Sequence, residues 1–289
     1  MEWHNIVDPA SAELDRLAQR YNLHPLHIED CRQRNQRAKI EEGQGYLFTV
    51  LKPVRIDKEE NFDAVDLDLF LGPDYLITVL ETDCPELRDL IDRVKQTMTA
   101  ETRADRIYYR IVDEVVDSYL PLLDRLNDGI DELEDRALEA PTPELLQSIF
   151  ATKRTLIFLR SVLVNTRDLA AQLQRIEFPG IGHDLGPYFR DVYDHVARNL
   201  DMIEIMRDLL NGTLDVYLSS VANRTNQVMK VLTVLGTIAL PALVVSGLYG
   251  MNVKGLPGAE SPYGLGIAIA AMALMTATLL WILKRFDWL

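Results

Sequence analysis

The spacing of apolar residues divides the chain into a strand-forming part, a helical part and two unbroken apolar stretches. Residues 46–55 are rich in β-branched and aromatic side chains, and the spacing predicts a strand there. Residues 65–71 alternate Asp with apolar residues, which predicts a strand with one solvated face. Leu71, Gly72, Pro73 and Asp74 read as a turn, and 75–80 return as a second strand, so the two form a hairpin. Helical spacing fits 10–21, 24–31 and 85–99. A small α/β domain is therefore expected over residues 1–100.

From Arg103 the period becomes helical. Ile107, Ile111, Val115, Leu122, Leu126, Ile130 and Leu133 mark one apolar face. Pro141 and Pro143 end it, and a second helix is expected over 144–176, so that 101–186 form a helical hairpin. The hairpin tip is crowded with Asp128, Asp131, Glu132, Glu134, Asp135 and Glu139, read as a solvated face or a surface that gathers cations. Residues 187–230 restart as a stalk helix. Val196, Leu200, Ile203, Leu210, Leu214, Tyr217 and Val221 follow a four–three spacing, with Arg207 as the exception. If that helix continues into the apolar stretch beyond it, it covers roughly 60 residues and about 90 Å.

Residues 231–250 and 263–283 contain no charged side chain. A helix of 20 residues rises about 30 Å, the thickness of a bilayer core, so both are expected to span a membrane. Residues 251–262 join them, and 284–289 form a short basic tail. Lys230 precedes the first span, and Lys284 and Arg285 follow the second. The joining loop sets Lys254 against Glu260. The positive-inside rule then places both termini in the cytosol and the loop outside. One hairpin of spans encloses no water-filled path, so transport requires several copies around an axis.

Composition sharpens this picture. The chain has 44 acidic and 30 basic residues and a formal charge of −14. That balance disfavours nucleic acid and suits cations. Cys31 and Cys84 form no metal-type pair and read as buried thiols. The first residues carry no basic n-region followed by an apolar run, so no cleavable signal is expected. No nucleophile–base pair, phosphate loop or zinc-hydrolase motif stands out, and an enzyme is not expected. His24 and His27, followed by Glu29 and Asp30, offer a transition-metal alternative, and His195 reads as a local partner of Asp191.

The first span closes on Tyr249, Gly250, Met251 and Asn252, and a second span follows before the chain ends. The chain thereby resembles the CorA family of magnesium channels, whose signature is Gly-Met-Asn at the outer end of the first of two spans. Segments 187–195, 214–220, 226–233 and 23–30 resemble the family's stalk, membrane entry and N-terminal region. The resemblance implies an α+β cytosolic domain, long helices, two C-terminal transmembrane helices and a homopentameric funnel in the plasma (inner) membrane. The first span would line its pore.

Carried over by that resemblance, Gly250, Met251 and Asn252 form the ion entry, and Asn226, Met229, Leu232, Leu240, Leu243 and Gly247 face the pore. A ring of Asn252 amide oxygens suits hydrated Mg²⁺, which sheds water reluctantly. Met229 and Leu232 would form an apolar constriction. Gly250 would permit a tight backbone there, and Pro241 would bend the helix. Leu243 departs from the hydroxyl found in many relatives. Glu29, Asp30, Asp113 and Asp191 would hold regulatory Mg²⁺ between subunits, bridged when the ion is bound and repelling when it is absent. The function implied is passive uptake of Mg²⁺, with Co²⁺ and Ni²⁺ as further cargo. The run Gly255, Leu256, Pro257, Gly258 resembles a zinc-transporting branch, so a Zn²⁺ transporter of the same fold, with proton coupling as its variant, is one alternative. A membrane-anchored oligomeric scaffold is the other.

Overall fold

The computed structural model describes residues 1–289 apart from 34–35, 58–60, 82–83, 98, 100–101, 252–255, 257, 259–260 and 287–289. It separates into two compact units, Met1–Leu214 and Asp215–Leu289.

The first unit is built on a five-stranded sheet in the order β1-β7-β6-β3-β2. Its strands are β1 (Glu2–Ile6), β2 (Lys39–Glu42), β3 (Leu47–Leu51), β6 (Leu67–Leu71) and β7 (Tyr75–Leu80); β4 (Val54–Ile56) and β5 (Phe62–Ala64) pair separately. β1 runs parallel to β7, and the other pairs in the large sheet are antiparallel. The expected strand over 46–55 breaks into β3 and β4 at Lys52 and Pro53, because proline has no N–H for the ladder. The β6–β7 hairpin forms as expected. Gly72 donates to the Tyr75 carbonyl at 2.9 Å, and a Cβ at Gly72 would run into the Tyr75 ring.

Helices α1 (Ala12–Arg20) and α2 (Pro25–Arg32) supply Leu14, Leu17, Ile28 and Cys31 to one apolar cluster with Phe48, Val50, Phe70, Ile77 and Val79 of the sheet. The pleat turns Leu47, Thr49, Leu67, Leu69 and Leu76 the other way. On that side the Thr49 and Tyr108 hydroxyls bond at 2.7 Å, and Tyr119 donates to the Lys52 carbonyl at 2.9 Å. The sheet is therefore covered on both faces.

This overturns the expected solvated face of 65–71. Asp66 is 2% exposed and Asp68 fully buried. Asp66 forms a buried ion pair with Lys52 and accepts from the Gln36 N–H at 3.0 Å. Among the described residues, no N–H or O–H group donates to either carboxyl oxygen of Asp68; the Cys31 thiol of α2 lies beside them. Burial, then the charge of Asp66, pushes the Asp68 carboxyl up to about 8.

The remaining helices of this unit are α3 (Pro85–Gln96), α4 (Ala104–Asp117), α5 (Tyr119–Glu139) and α6 (Pro143–Leu173). Proline stands at the first turn of α2, α3 and α6, where its missing N–H costs nothing. Thr142 caps α6 by accepting from the Leu145 N–H at 3.3 Å. The single helix expected from Arg103 to Pro141 is two, parted at Ser118. Pro121 explains the break: its ring crowds the carbonyl four residues back, that of Asp117. The acidic residues at the end of α5 are largely exposed.

Helix α7 (Gly186–Gly250) runs without interruption through the unit boundary, with Pro241 inside it. Val196, Ile203 and Leu210 of the expected stripe are buried, and Met206 takes the inward place next to the exception. Arg207 faces out and meets Glu204 at 2.6 Å. Val221 is exposed.

In the second unit, α8 (Gly264–Arg285) follows α7. Both helices are long and apolar enough to cross a membrane, and only 11% and 6% of their most apolar windows are buried. A core helix of a water-soluble protein hides such a stretch; these leave theirs open to lipid or to other copies. Tyr263 and Trp281 lie exposed 18 residues apart, about 27 Å along α8, a separation suited to aromatic anchors at two interfaces.

Candidate functional site

Two groups of residues carry the candidate chemistry. The first lies on α7. Asn226, Met229, Leu232, Leu240, Leu243 and Gly247 are all exposed in the single chain. At 100° per residue, the six fall within an arc of about 120°. Within the apolar part of α7, only Pro241 and Val245 are buried. They lie about 140° round the helix from the centre of that arc. Elsewhere the apolar part of α7 is open nearly all round: Val231, Leu235 and Ile238, on the side away from the arc, are exposed too. Leu232 and Leu243 are each 69% exposed, far more than a folded monomer leaves an ordinary leucine.

α7 ends at Gly250, and the Met251 N–H reaches the Leu248 carbonyl at 3.4 Å. Gly250 is helical, and an added Cβ would meet nothing within 4 Å. The expectation that glycine serves a tight backbone at this point finds no support within one chain. Asn252 lies outside the described residues.

The second group sits on the first unit. α4 and α7 bring Asp113, Asp117 and His195 together, with potential ligand atoms all within 4.8 Å of one another. His195 Nδ1 lies 3.2 Å from Asp117, and its Nε2 lies 3.7 Å from Asp191. Asp113 is nearly buried. It accepts from the Tyr109 hydroxyl at 3.1 Å and from Arg110 at 3.5 Å. Burial raises its pKa above the ordinary carboxylate value. A divalent cation would relieve that cost, because it favours the ionised form.

Of the four expected regulatory residues, Asp113 and Asp191 therefore meet within one chain through His195. Asp117 was missed by sequence reading, although Asp113 and Asp117 are spaced i, i+4 on one helix face. His195, expected as a partner of Asp191, lies between Asp191 and Asp117, with Asp113 within 4.8 Å.

Glu29 and Asp30 stand apart on α2. Glu29 accepts from the Gln33 side chain at 2.7 Å, and Asp30 from Lys39 at 2.8 Å. Lys39 also meets Glu41 at 2.8 Å. A cation binding through Oδ2, the Asp30 oxygen that accepts from Lys39, must displace the ammonium.

The transition-metal reading of His24 and His27 is overturned. His24 caps α2, accepting from the Leu26 N–H at 3.2 Å. His27 spends one ring nitrogen on the Tyr46 hydroxyl at 2.7 Å and the other on Glu41 at 3.0 Å. Burial lowers its pKa, against the opposing pull of Glu41.

Comparison with known proteins agrees with this architecture. The profile of the family described as "CorA-like Mg2+ transporter protein" matches residues 1–285. A cobalt/magnesium transport protein CorA of Thermotoga maritima is 35% identical over 295 residues, covering 99% of this chain and 83% of that protein. The complete structure of a CorA magnesium transporter from Methanocaldococcus jannaschii superposes with a TM-score of 0.84 at 26% identity, covering 99% of this chain and 91% of that one. The ZntB cytoplasmic domain of Vibrio parahaemolyticus matches with a TM-score of 0.61 at 10% identity, covering 77% of this chain and 87% of that one. At that identity it shares the fold alone.

Proposed function

This chain belongs to the CorA family of Mg²⁺ transporters, and from that premise we propose that it carries divalent cations, chiefly Mg²⁺, passively into the cell through a homopentameric channel. The observation that supports the proposal is the apolar stretch of α7, which its own chain leaves almost wholly uncovered, with the six pore residues on one arc of it. Several copies that brought those arcs to a common axis would enclose a path that no single hairpin can enclose.

In this reading, Asn252 with Gly250 and Met251 receives the hydrated ion at the outer end, and Met229 and Leu232 form the apolar narrowing. Both termini lie in the cytosol. A divalent ion gains about 4.6 kcal/mol on inward passage through 100 mV, so no energy-coupling module is needed. Co²⁺ and Ni²⁺ are further cargo.

Cytosolic Mg²⁺ closes the channel by neutralising acidic groups on the first unit. Asp113, Asp117, Asp191 and His195 are one such group within the chain, and Glu29 and Asp30 reach a neighbouring subunit. With the ion absent, like charges repel and the closed form loosens.

The test is Mg²⁺ influx into liposomes that hold purified protein and an internal indicator, under an imposed potential. Wild type should conduct. Asn252→Ala should lose at least tenfold of its flux while its mass in detergent stays that of a pentamer. Unchanged flux in Asn252→Ala, or a monomeric mass, would sink the reading. Zn²⁺ flux that follows a pH gradient instead of the potential would transfer the ion assignment to the zinc alternative.

A further inference from the structure

A pocket of about 580 Å³ opens between the end of α3, the first two turns of α4 and the start of α7. Arg103, Arg106 and Arg110 form one wall, at spacings of three and four residues that place them on one face of α4. Three guanidinium groups within eight residues stand out in a chain with a formal charge of −14. All three remain substantially exposed, at 52%, 38% and 43%.

Their present partners leave capacity to spare. Arg103 pairs with the buried Asp105 and reaches Asp184 at 3.3 Å, and Arg106 pairs with Asp184. The partner of Arg110 is Asp113 at a long 3.5 Å, one of five donor sites on a guanidinium. No side chain caps α4, so the positive end of its dipole adds to the same region.

Beside the arginines, Tyr188 of α7 is exposed, with Arg106 5.3 Å from the centre of its ring; Tyr109 of α4 is buried and supports it, the two ring centroids 5.2 Å apart. Val94 of α3 lends apolar surface. Arginines that match phosphate oxygens, beside an exposed ring that can stack a planar heterocycle, are elements of a nucleotide pocket. Inorganic phosphate would use only the arginine wall, and the volume far exceeds it.

We propose that this pocket binds a nucleoside polyphosphate, with the phosphates on Arg103, Arg106 and Arg110 and the base against the exposed Tyr188. The site is independent of conduction. Its position next to Asp113 gives the ligand a route to the acidic cluster through Arg110.

The test is calorimetric titration of purified full-length protein in detergent with ATP, tripolyphosphate, inorganic phosphate and adenosine, all with excess Mg²⁺. ATP should saturate one site per chain below millimolar concentration. Tripolyphosphate should bind at least tenfold more weakly, and phosphate and adenosine weaker still. The double variant R106E/R110E changes only exposed side chains. It should weaken ATP at least tenfold while Cys31 stays protected from thiol reagents, which shows that the fold persists. Tyr188→Ala should bring ATP down to the tripolyphosphate level. Absence of ATP binding, undiminished binding in the arginine variant, or equal affinity for ATP and tripolyphosphate would each overturn the assignment.

Discussion

The two units treat apolar side chains in opposite ways. In Met1–Leu214, the leucines of β6 and β7 are fully hidden by helices of the same chain. In Asp215–Leu289, Leu232, Leu243, Leu265 and Leu274 are each at least 69% exposed. The first unit satisfies its own hydrophobic surface. The second offers its surface to something the chain does not contain. Hydrophobicity per residue is not what distinguishes them, since both are rich in leucine and valine; the difference is whether the fold supplies a partner.

The charged residues show the same contrast. The first unit buries Lys52, Asp66 and Asp68, and the described apolar stretches of the second contain no charge at all.

That contrast can be broken from both sides, and the first unit should yield most. Lys52→Ala leaves Asp66 buried without its cation and should cost about 3–5 kcal/mol. The readout is the denaturant midpoint for labelling of the buried thiols Cys31 and Cys84, which report unfolding without any added probe. A loss below about 1 kcal/mol would show that water reaches the pair.

Leu69→Ala removes a fully buried side chain from the central strand and should cost about 2–5 kcal/mol on the same readout.

Asp68→Asn should act through pH. The folded carboxyl, at about 8, lies above its ordinary value of 3.8, so the folded state holds the proton more tightly. Its contribution to stability is complete below about pH 4 and is lost as pH rises through about 8. The wild-type midpoint should therefore fall between pH 5 and pH 8, by an amount on the order of a few kcal/mol. Asp68→Asn should flatten that slope and be the more stable protein at pH 8. The groups facing Asp68 are Cys31 and Asp30 of α2, Asp66 and Lys52. A wild-type slope that survives the substitution would assign it to one of them.

Leu243→Ala should shift the thiol-labelling midpoint least, by less than about 1 kcal/mol, because its side chain is exposed in the chain. It should nonetheless change ion flux in liposomes if its face lines the path. A loss as large as that of Leu69→Ala would place Leu243 in a core and break the contrast between the units.

Reading along the chain recovered what rests on local spacing. The β6–β7 hairpin, the presence of α1, α2 and α3, the part of the α7 stripe from Val196 to Leu210 and both apolar helices were legible because period and breakers are properties of neighbouring residues. β1 was not: Glu2–Ile6 has no strong alternation and becomes a strand only by pairing with β7, more than seventy residues away. β2 has a single apolar residue in Lys39–Glu42 and depends on β3 in the same way.

The alternating Asp residues of β6 misled for a related reason. Alternation reports two chemically different faces, and only the placement of α1 and α2 decided that the polar face is dry. At the candidate site, the arc of α7 followed from resemblance and helical period. The approach of His195 to Asp117, with Asp113 close by, joins α4 to a helix some eighty residues later.

The sequence by itself thus determined which segments are helical, which are apolar enough to span a bilayer, and which residues stand at the end of the first span. These follow from backbone geometry and side-chain type within a few turns. Tertiary structure alone decided that Asp68 lies fully buried beside Cys31 and Asp66, that Lys39 already pairs with Asp30, and that His24 and His27 are spent on a cap and a hydrogen-bond chain. Each of these depends on groups far apart in sequence arriving at the same place, and no local pattern encodes that arrival.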